Sequence, residues 1–165
     1  MGRASGVLMA VSSLPNSYGI GTFGKEAYDF IDFLVRTKQR YWQVLPLTTT
    51  SYGDSPYQSF SAAAGSPYYI DLKDLEKLGY LKSDDFEDIS FGTSNTCVDY
   101  GALFVNHRRL LNRAFDRFMQ DVPADFEKFC HDHSEWLDPY AEFMSLKEEF
   151  GHKAYWEWPK PFQQR

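Results

Sequence analysis

Cysteine is scarce: Cys97 and Cys130 are the only two in 165 residues, with no C-x-x-C pair between them. That excludes a disulfide framework and a cysteine-based metal site, and it reads as two buried, reduced thiols. Long apolar runs are missing as well, since no stretch approaches the roughly 20 residues that span a bilayer. The opening MGRASGVLMAV has one Arg and too short an apolar run for a signal peptide, so a cytoplasmic location is expected. Positive charge is in deficit, with 17 Lys and Arg against 23 Asp and Glu and no basic run. An acidic chain without a basic stripe excludes nucleic acid and an anionic membrane as electrostatic partners.

Histidine numbers only four. His131 and His133 are two apart at a helix end and diverge, His107 stands beside Arg108 and Arg109 on a polar face, and His152 falls in a loop. None has a visible serine or cysteine triad partner. Internal repeats and low-complexity tracts are lacking too. What is present is aromatic and apolar substance, 18% and 43% of residues, enough for a packed core.

Gly6–Val11 is a continuous apolar run that reads as a strand buried on both faces. Ser12–Phe23 is punctuated by Pro15, Asn16 and glycines, as a loop is. From Lys25, Ala27, Phe30, Ile31 and Leu34 recur at i, i+3, i+4 and i+7, the stripe of an amphipathic helix. Tyr41–Leu45 is a second strand, ended by Pro46. The opening is therefore β-loop-α-β, which predicts parallel strands. The next twenty or so residues, TTTSYGDSPYQSFSAAAGSPYY, form an aromatic loop long enough to point to function.

Ile70–Leu72 reads as a short extended piece. Helical patterns follow at Lys73–Gly79, Ser83–Asp88 and Gly101–Asp121, the last with Leu103, Leu110, Leu111, Phe115 and Phe118 on a stripe. Pro123 suits the first turn of a helix reaching His133, and Ser134 caps another that ends near Gly151. Two parallel strands do not stand alone as a sheet. The chain reads as the first part of a larger α/β domain with a helical insertion.

The stretch GIGTFGKE (residues 19–26) invites a nucleotide. Gly19, Gly21 and Gly24 have G-x-G-x-x-G spacing, and Lys25 completes most of a phosphate loop. The dinucleotide fingerprint, however, begins at the strand end and has an acid after the second strand. Here SSLPNSY intervenes, and no Asp or Glu lies between Phe33 and Gly53. A phosphate loop follows its Lys with Ser or Thr for Mg²⁺, and position 26 is Glu, which repels phosphate. A glycine-rich turn into a helix is what remains.

The run SYGDSPYQSF (51–60) directly after YWQVLPL closely resembles the amylomaltases, the 4-α-glucanotransferases of the α-amylase superfamily. The resemblance extends over RASGVLMAVSSLP, YGIGTFGKEAYDFIDFL, YYIDL, VDYGAL and FMSLKEEFGHKAYWEWP, in order and over nearly the whole chain. It departs at Thr48-Thr49, where the family commonly has Gly-Pro, and at Ala10-Val-Ser, where it often has His-Pro-Thr. The resemblance implies an α/β fold: the N-terminal portion of a (β/α)₈ TIM barrel with a mostly helical insertion. Residues 1–72 would carry the first βα units and the substrate loop, and 73–165 the helical part, ahead of the rest of the barrel. The glycine stretch would then belong to the first βα loop at the face where barrel enzymes place their sites.

The loop's composition agrees with a sugar. Tyr52, Tyr57, Phe60, Tyr68 and Tyr69, with Asp54, Ser55 and Gln58, combine flat apolar faces with hydrogen-bonding groups, as a glucose ring does. The resemblance places Tyr57 against sugar near the cleavage point, Asp54 and Ser55 on loop geometry or hydroxyls, and Tyr52 and Tyr100 as stacking positions farther out. Without it, the same tyrosines could simply pack over a core, and Asp54 could be a turn acid.

Retaining α-glucan transfer needs two carboxyl groups about 5 Å apart, one a nucleophile and one an acid/base. In the family these come from later strands of a considerably longer chain, and no R-x-D strand-end motif occurs here. Asp29, Asp32, Glu142, Glu148 and Glu149 read as solvated helix faces. The expected function is 4-α-glucanotransferase, moving segments of maltodextrin to glucose or glucan, with no cofactor. This chain would be an N-terminal part lacking the catalytic carboxylates and completed by the remainder of the barrel. A non-catalytic glucan-binding module is the alternative, and a nucleotide-binding domain a third reading.

Overall fold

The computed structural model describes residues 2–94 and 96–163. By contacts the chain divides into two units, Met1–Val122 and Pro123–Arg165. The boundary expected from the sequence lies at 72/73, whereas residues 73–122 pack within the first of these units.

In the first unit, β1 (Gly6–Leu8) pairs in parallel with β2 (Tyr41–Gln43), with Gly6 opposite Tyr41, Val7 opposite Trp42 and Leu8 opposite Gln43. The parallel β-loop-α-β order expected from the sequence is thus observed. The strands are shorter than the apolar runs, because the backbone leaves the ladder and folds into a 3₁₀ turn at Val11–Ser13. Val11 is buried there, yet Leu8 within the strand is 60% exposed. The strand is therefore not covered on both faces, since its exposed Leu8 meets no packed layer of the described residues on its side of the sheet.

Helix α1 (Lys25–Arg36) lies between the strands in sequence and buries Ala27 and Leu34, as its spacing predicted. Phe30 meets the edge of Trp42 at 4.9 Å, and the Trp42 indole donates to the Met9 carbonyl at 2.8 Å. Val11, Leu14 and Ala27 form the core here, with Met9, Trp42 and Leu47 packed around them.

A second core gathers Leu72 of α2 (Leu72–Lys77), Leu81, and Leu110 and Ala114 of α3 (Tyr100–Phe118), with Tyr18 from the glycine-rich loop packed against it. The segment before α3 is bound to it by charge. Arg117 grips both carboxylate oxygens of Asp85, at 2.5 and 3.0 Å, and donates to the Tyr80 carbonyl. Hydrogen bonding from Arg117 lowers the Asp85 carboxyl to about 2. The apolar stripe of α3 differs from its sequence reading in one respect: Phe115 is 57% exposed, and His107 takes a buried place between Leu103 and Leu110.

The second unit contains α4 (Ala124–Asp132) and α5 (Ser134–Glu149), close to the helices expected from Pro123 and Ser134. Its aromatic tail turns back at Gly151 and His152, both with positive φ. Trp158 becomes buried there against Phe143 and Phe150, each 5.5 Å away.

Candidate functional site

The glycine-rich loop is a packed joint. Its centre is the buried hydroxyl of Thr22, which donates to Asp71 Oδ2 at 2.5 Å and accepts from Asn16 Nδ2 at 3.2 Å and from the Gly24 N–H at 3.3 Å. That set uses the hydroxyl's one donor and both its lone pairs. Asp71 also caps α2 by accepting from the Asp74 N–H. A side chain at Gly24 would collide with the Asp71 carboxylate, and one at Gly21 with the Val11 carbonyl and the Leu14 backbone. The glycines are therefore present for close approach. A buried carboxylate at the start of α1 makes the place hostile to phosphate, which closes the nucleotide reading on chemical grounds.

The aromatic loop is built differently. Its two ends are drawn together by an antiparallel bridge between Thr48 and Gly65 and by the Ser66 N–H on the Leu47 carbonyl at 2.9 Å. Thr49 and Ser59 hydroxyls meet across it at 3.2 Å. Within it, Ser51 and Gln58 bond through the backbone at 2.9 Å, closing residues 51–58 into a doubled turn. Gly53 and Asp54 both have positive φ, +95° and +56°, which glycine adopts freely and aspartate tolerates. The turn is thus held at its neck while its tip projects.

On that tip Tyr52 is fully exposed and Tyr57 is 74% exposed. The Ser55 hydroxyl accepts from the Tyr57 N–H at 3.4 Å, a local bond that fits its expected part in loop geometry. Asp54 is half-buried, and that burial raises its carboxyl above the usual range. Its charge reaches Tyr68 and Tyr100, whose phenols are raised chiefly by burial and further by Asp54. Tyr68 and Tyr100 are neighbours at 6.3 Å. The structure accordingly sets Tyr100 beside Tyr68, with Asp54 acting on both through its charge, while Ser55, Tyr52 and Tyr57 lie on the loop.

Sequence reasoning missed two features. One is His107, which lies 5.7 Å from Tyr68, ring edge to face. Its place beside two arginines concealed that Tyr100, Leu103, His107, Leu110 and Ala114 share a helical face. The other is a cleft of about 740 Å³ lined by the loop after β1 and by residues on either side of Ser94 and Thr96, with Asn16, Ser17, Glu26, Ser94 and Thr96 in its walls. Among the described residues that line it, Phe91 is the one aromatic wall, and that ring already packs on Tyr18. The exposed aromatic faces are on the loop instead. Cys97 also borders this cleft and is exposed, which corrects the expectation of two buried thiols: Ser94 organises the turn around its backbone, and no apolar element covers it.

Several of the chain's acids are engaged elsewhere. Asp29 pairs with Lys25, Asp99 caps α3 by accepting from the Ala102 N–H, and Asp88 pairs with Arg109. Among the described residues no three of His, Cys, Asp and Glu converge on a point where a metal ion could be held, and no helix is long and apolar enough to cross a membrane.

A family model described as 4-alpha-glucanotransferase matches residues 9–165. The 4-alpha-glucanotransferase of Streptococcus pneumoniae serotype 4 is 56% identical over 159 residues, covering 95% of this chain and 31% of that protein. That of Clostridium butyricum is 47% identical over 157 residues, 95% of this chain and 32% of its own length. Among solved structures, the amylomaltase from Streptococcus agalactiae in complex with acarbose superposes with a TM-score of 0.91 at 50% identity. That match covers 96% of this chain and 32% of the neighbour. The chain thus spans about a third of the length of the curated relatives it matches.

Proposed function

The chain belongs to the 4-alpha-glucanotransferase family, and on that premise we propose that its protein moves α-1,4-glucan segments from one maltodextrin to another or to glucose. The observation that carries this reading is the loop at 51–58: pinned at its neck, with Tyr52 and Tyr57 turned to solvent and Asp54 half-buried between them in sequence. Exposed aromatic faces beside polar groups are what a glucan's C–H faces and hydroxyls require. Tyr57 stacks on sugar near the bond that is cut, Ser55 and Asp54 hold the loop or a hydroxyl, and Tyr52 and Tyr100 bind glucan farther along.

Chemistry of this class runs by double displacement. One carboxylate attacks the anomeric carbon while a second carboxylic acid protonates the departing oxygen. The acceptor's hydroxyl then attacks the glycosyl-enzyme as the second carboxylate takes its proton, so configuration is retained and no cofactor is consumed. We assign neither carboxylate to this chain: the family's carboxylates come from later strands, and several of the acids here cap helices or pair with cations. β1 and β2 are the first two strands of a (β/α)₈ barrel in this reading. Residues 1–72 carry its opening units, 73–165 a mostly helical insertion, and the remainder of the barrel brings the acids, all within the cytoplasm. The exposed Leu8 in β1 supports it, since a closed barrel would cover that side chain.

Maltotriose disproportionation is the test. A ladder of glucose and longer maltodextrins from the natural protein that carries these residues, and none from the 165-residue chain alone, is the expected result. A ladder from the 165-residue chain would place the acids within it and overturn the assignment. Maltodextrin binding with no ladder from either would favour a glucan-binding module.

A further inference from the structure

His107 occupies a place where the pattern calls for leucine. On α3 it follows Tyr100 by seven residues and Leu103 by four, and it precedes Leu110 by three, so all share one face. Leu103 and Leu110 are fully buried and His107 is 1% exposed. Among the described residues neither ring nitrogen has a well-formed hydrogen bond, and the Ile70 backbone is the polar group that acts on the ring. A leucine would fill the same face without desolvating two polar atoms. The imidazole therefore costs stability where it stands, and its surroundings show what it touches instead.

Its ring edge meets Tyr68 at 5.7 Å with the planes at 83°. Tyr68 belongs to the 3₁₀ turn Pro67–Tyr69, just after the neck of the aromatic loop. The other side of Tyr68 faces Tyr100, and the Asp54 charge reaches both phenols. Ring contacts thus run from the α3 core through Tyr68 to Tyr100, and Tyr68 directly follows the backbone bonds that close the neck of the 51–58 loop. We propose that His107 is a positioning residue for this loop: from the core it holds Tyr68, and Tyr68 holds Tyr100 and the neck of the loop. The inference rests on the glucan reading for its purpose, but the coupling itself is independent of any ligand.

Burial gives the coupling a readout. It lowers the His107 pKa from 6.5 to about 4, opposed by hydrogen bonding with the Ile70 backbone. The closed arrangement therefore holds the ring neutral, whereas an opened one lets it take a proton near its ordinary value. Opening binds more protons than closure between those two values, so closure weakens as pH falls from 6.5 to 4. The other titratable groups around the cluster are Tyr68, Tyr69 and Tyr100, all raised by burial and neutral in this range, and Asp54. Arg108 and Arg109 follow on α3 and keep their charge throughout, Arg109 paired with Asp88.

The experiment is amide hydrogen exchange between pH 7 and 4, corrected for intrinsic rates, on the natural protein that contains these residues. Opening of the amides at 51–58 and 66–70 is expected to rise about a hundredfold across that range. Amides of β1 and β2 should stay level, and His107→Leu should flatten the slope at the loop. His107→Phe, which keeps a ring against Tyr68 and cannot titrate, serves the same purpose if the leucine variant does not fold. An unchanged slope in these variants, a rise shared equally by β1 and β2, or a slope abolished by Asp54→Asn would each overturn the proposal. Maltoheptaose at pH 7 separates the two claims. Protection of the 51–58 amides supports the glucan reading, and its absence removes that reading while the slopes still decide the coupling.

Discussion

Two loops of this protein carry glycine and polar residues between apolar elements, and they do opposite things. The first, residues 19–24, is sunk into the interior, where Thr22 and Asp71 are buried and Gly21 and Gly24 admit neighbouring backbone and carboxylate. The second, residues 51–58, is tied only at its neck and leaves Tyr52 and Tyr57 in solvent. One spends its polar groups on itself: the Thr22 hydroxyl is saturated, and nothing is left over for a ligand. The other keeps its aromatic faces uncommitted. A glycine pattern alone therefore says little about binding, whereas the fate of the side chains between the glycines says a great deal.

The contrast can be broken most severely from the buried side. Gly21→Val puts two methyl groups against the Val11 carbonyl and the Leu14 backbone, neither of which can yield cheaply, and should destabilise the fold by about 3 kcal/mol in urea denaturation. Asp71→Ala leaves the Thr22 hydroxyl without its acceptor and α2 without its cap, a loss of about 2 kcal/mol by the same measurement. Neither change should alter glucan contacts at the 51–58 tip in whatever fraction remains folded.

Substitutions in the exposed loop should reverse this order. Tyr57→Ala should weaken maltoheptaose binding about tenfold, which is about 1.4 kcal/mol, while calorimetry finds the melting temperature where it was. Asp54→Asn should have the smallest effect. Burial raises the Asp54 carboxyl, so the folded loop prefers the neutral form and its stability falls as pH climbs past the ordinary carboxylate value. Asparagine tolerates the left-handed backbone at that position and carries no charge. It should add a few tenths of a kcal/mol at pH 7 and nothing near pH 3, as seen in paired denaturation curves.

How legible these features were in the sequence depended on how local they are. The parallel β1–β2 pair, α1 and α3 follow from spacing within a few turns, and each was readable. The length of β1 was not, because Met9–Val11 continues in apolar letters while its backbone has already turned away. The Thr22–Asp71 bond joins residues 49 apart, and no pattern announces it. The tyrosine loop stood out by composition and by its likeness to a known family, though exposure of Tyr52 and partial burial of Tyr68 could only come from coordinates. His107 was misplaced on a polar face because Arg108 and Arg109 dominate its neighbourhood in sequence, while the helix turns it toward Leu103 and Leu110.

The claim at the centre of this account is that the 51–58 tip exists to touch α-glucan and contributes nothing to the fold. It is tested most directly by titrating maltoheptaose into the natural protein and its Tyr57→Ala variant, with the melting temperature read on the same samples. A tenfold weaker Kd at an unchanged melting temperature is the predicted result. An unchanged Kd with a lowered melting temperature would make Tyr57 a packing residue and contradict the claim.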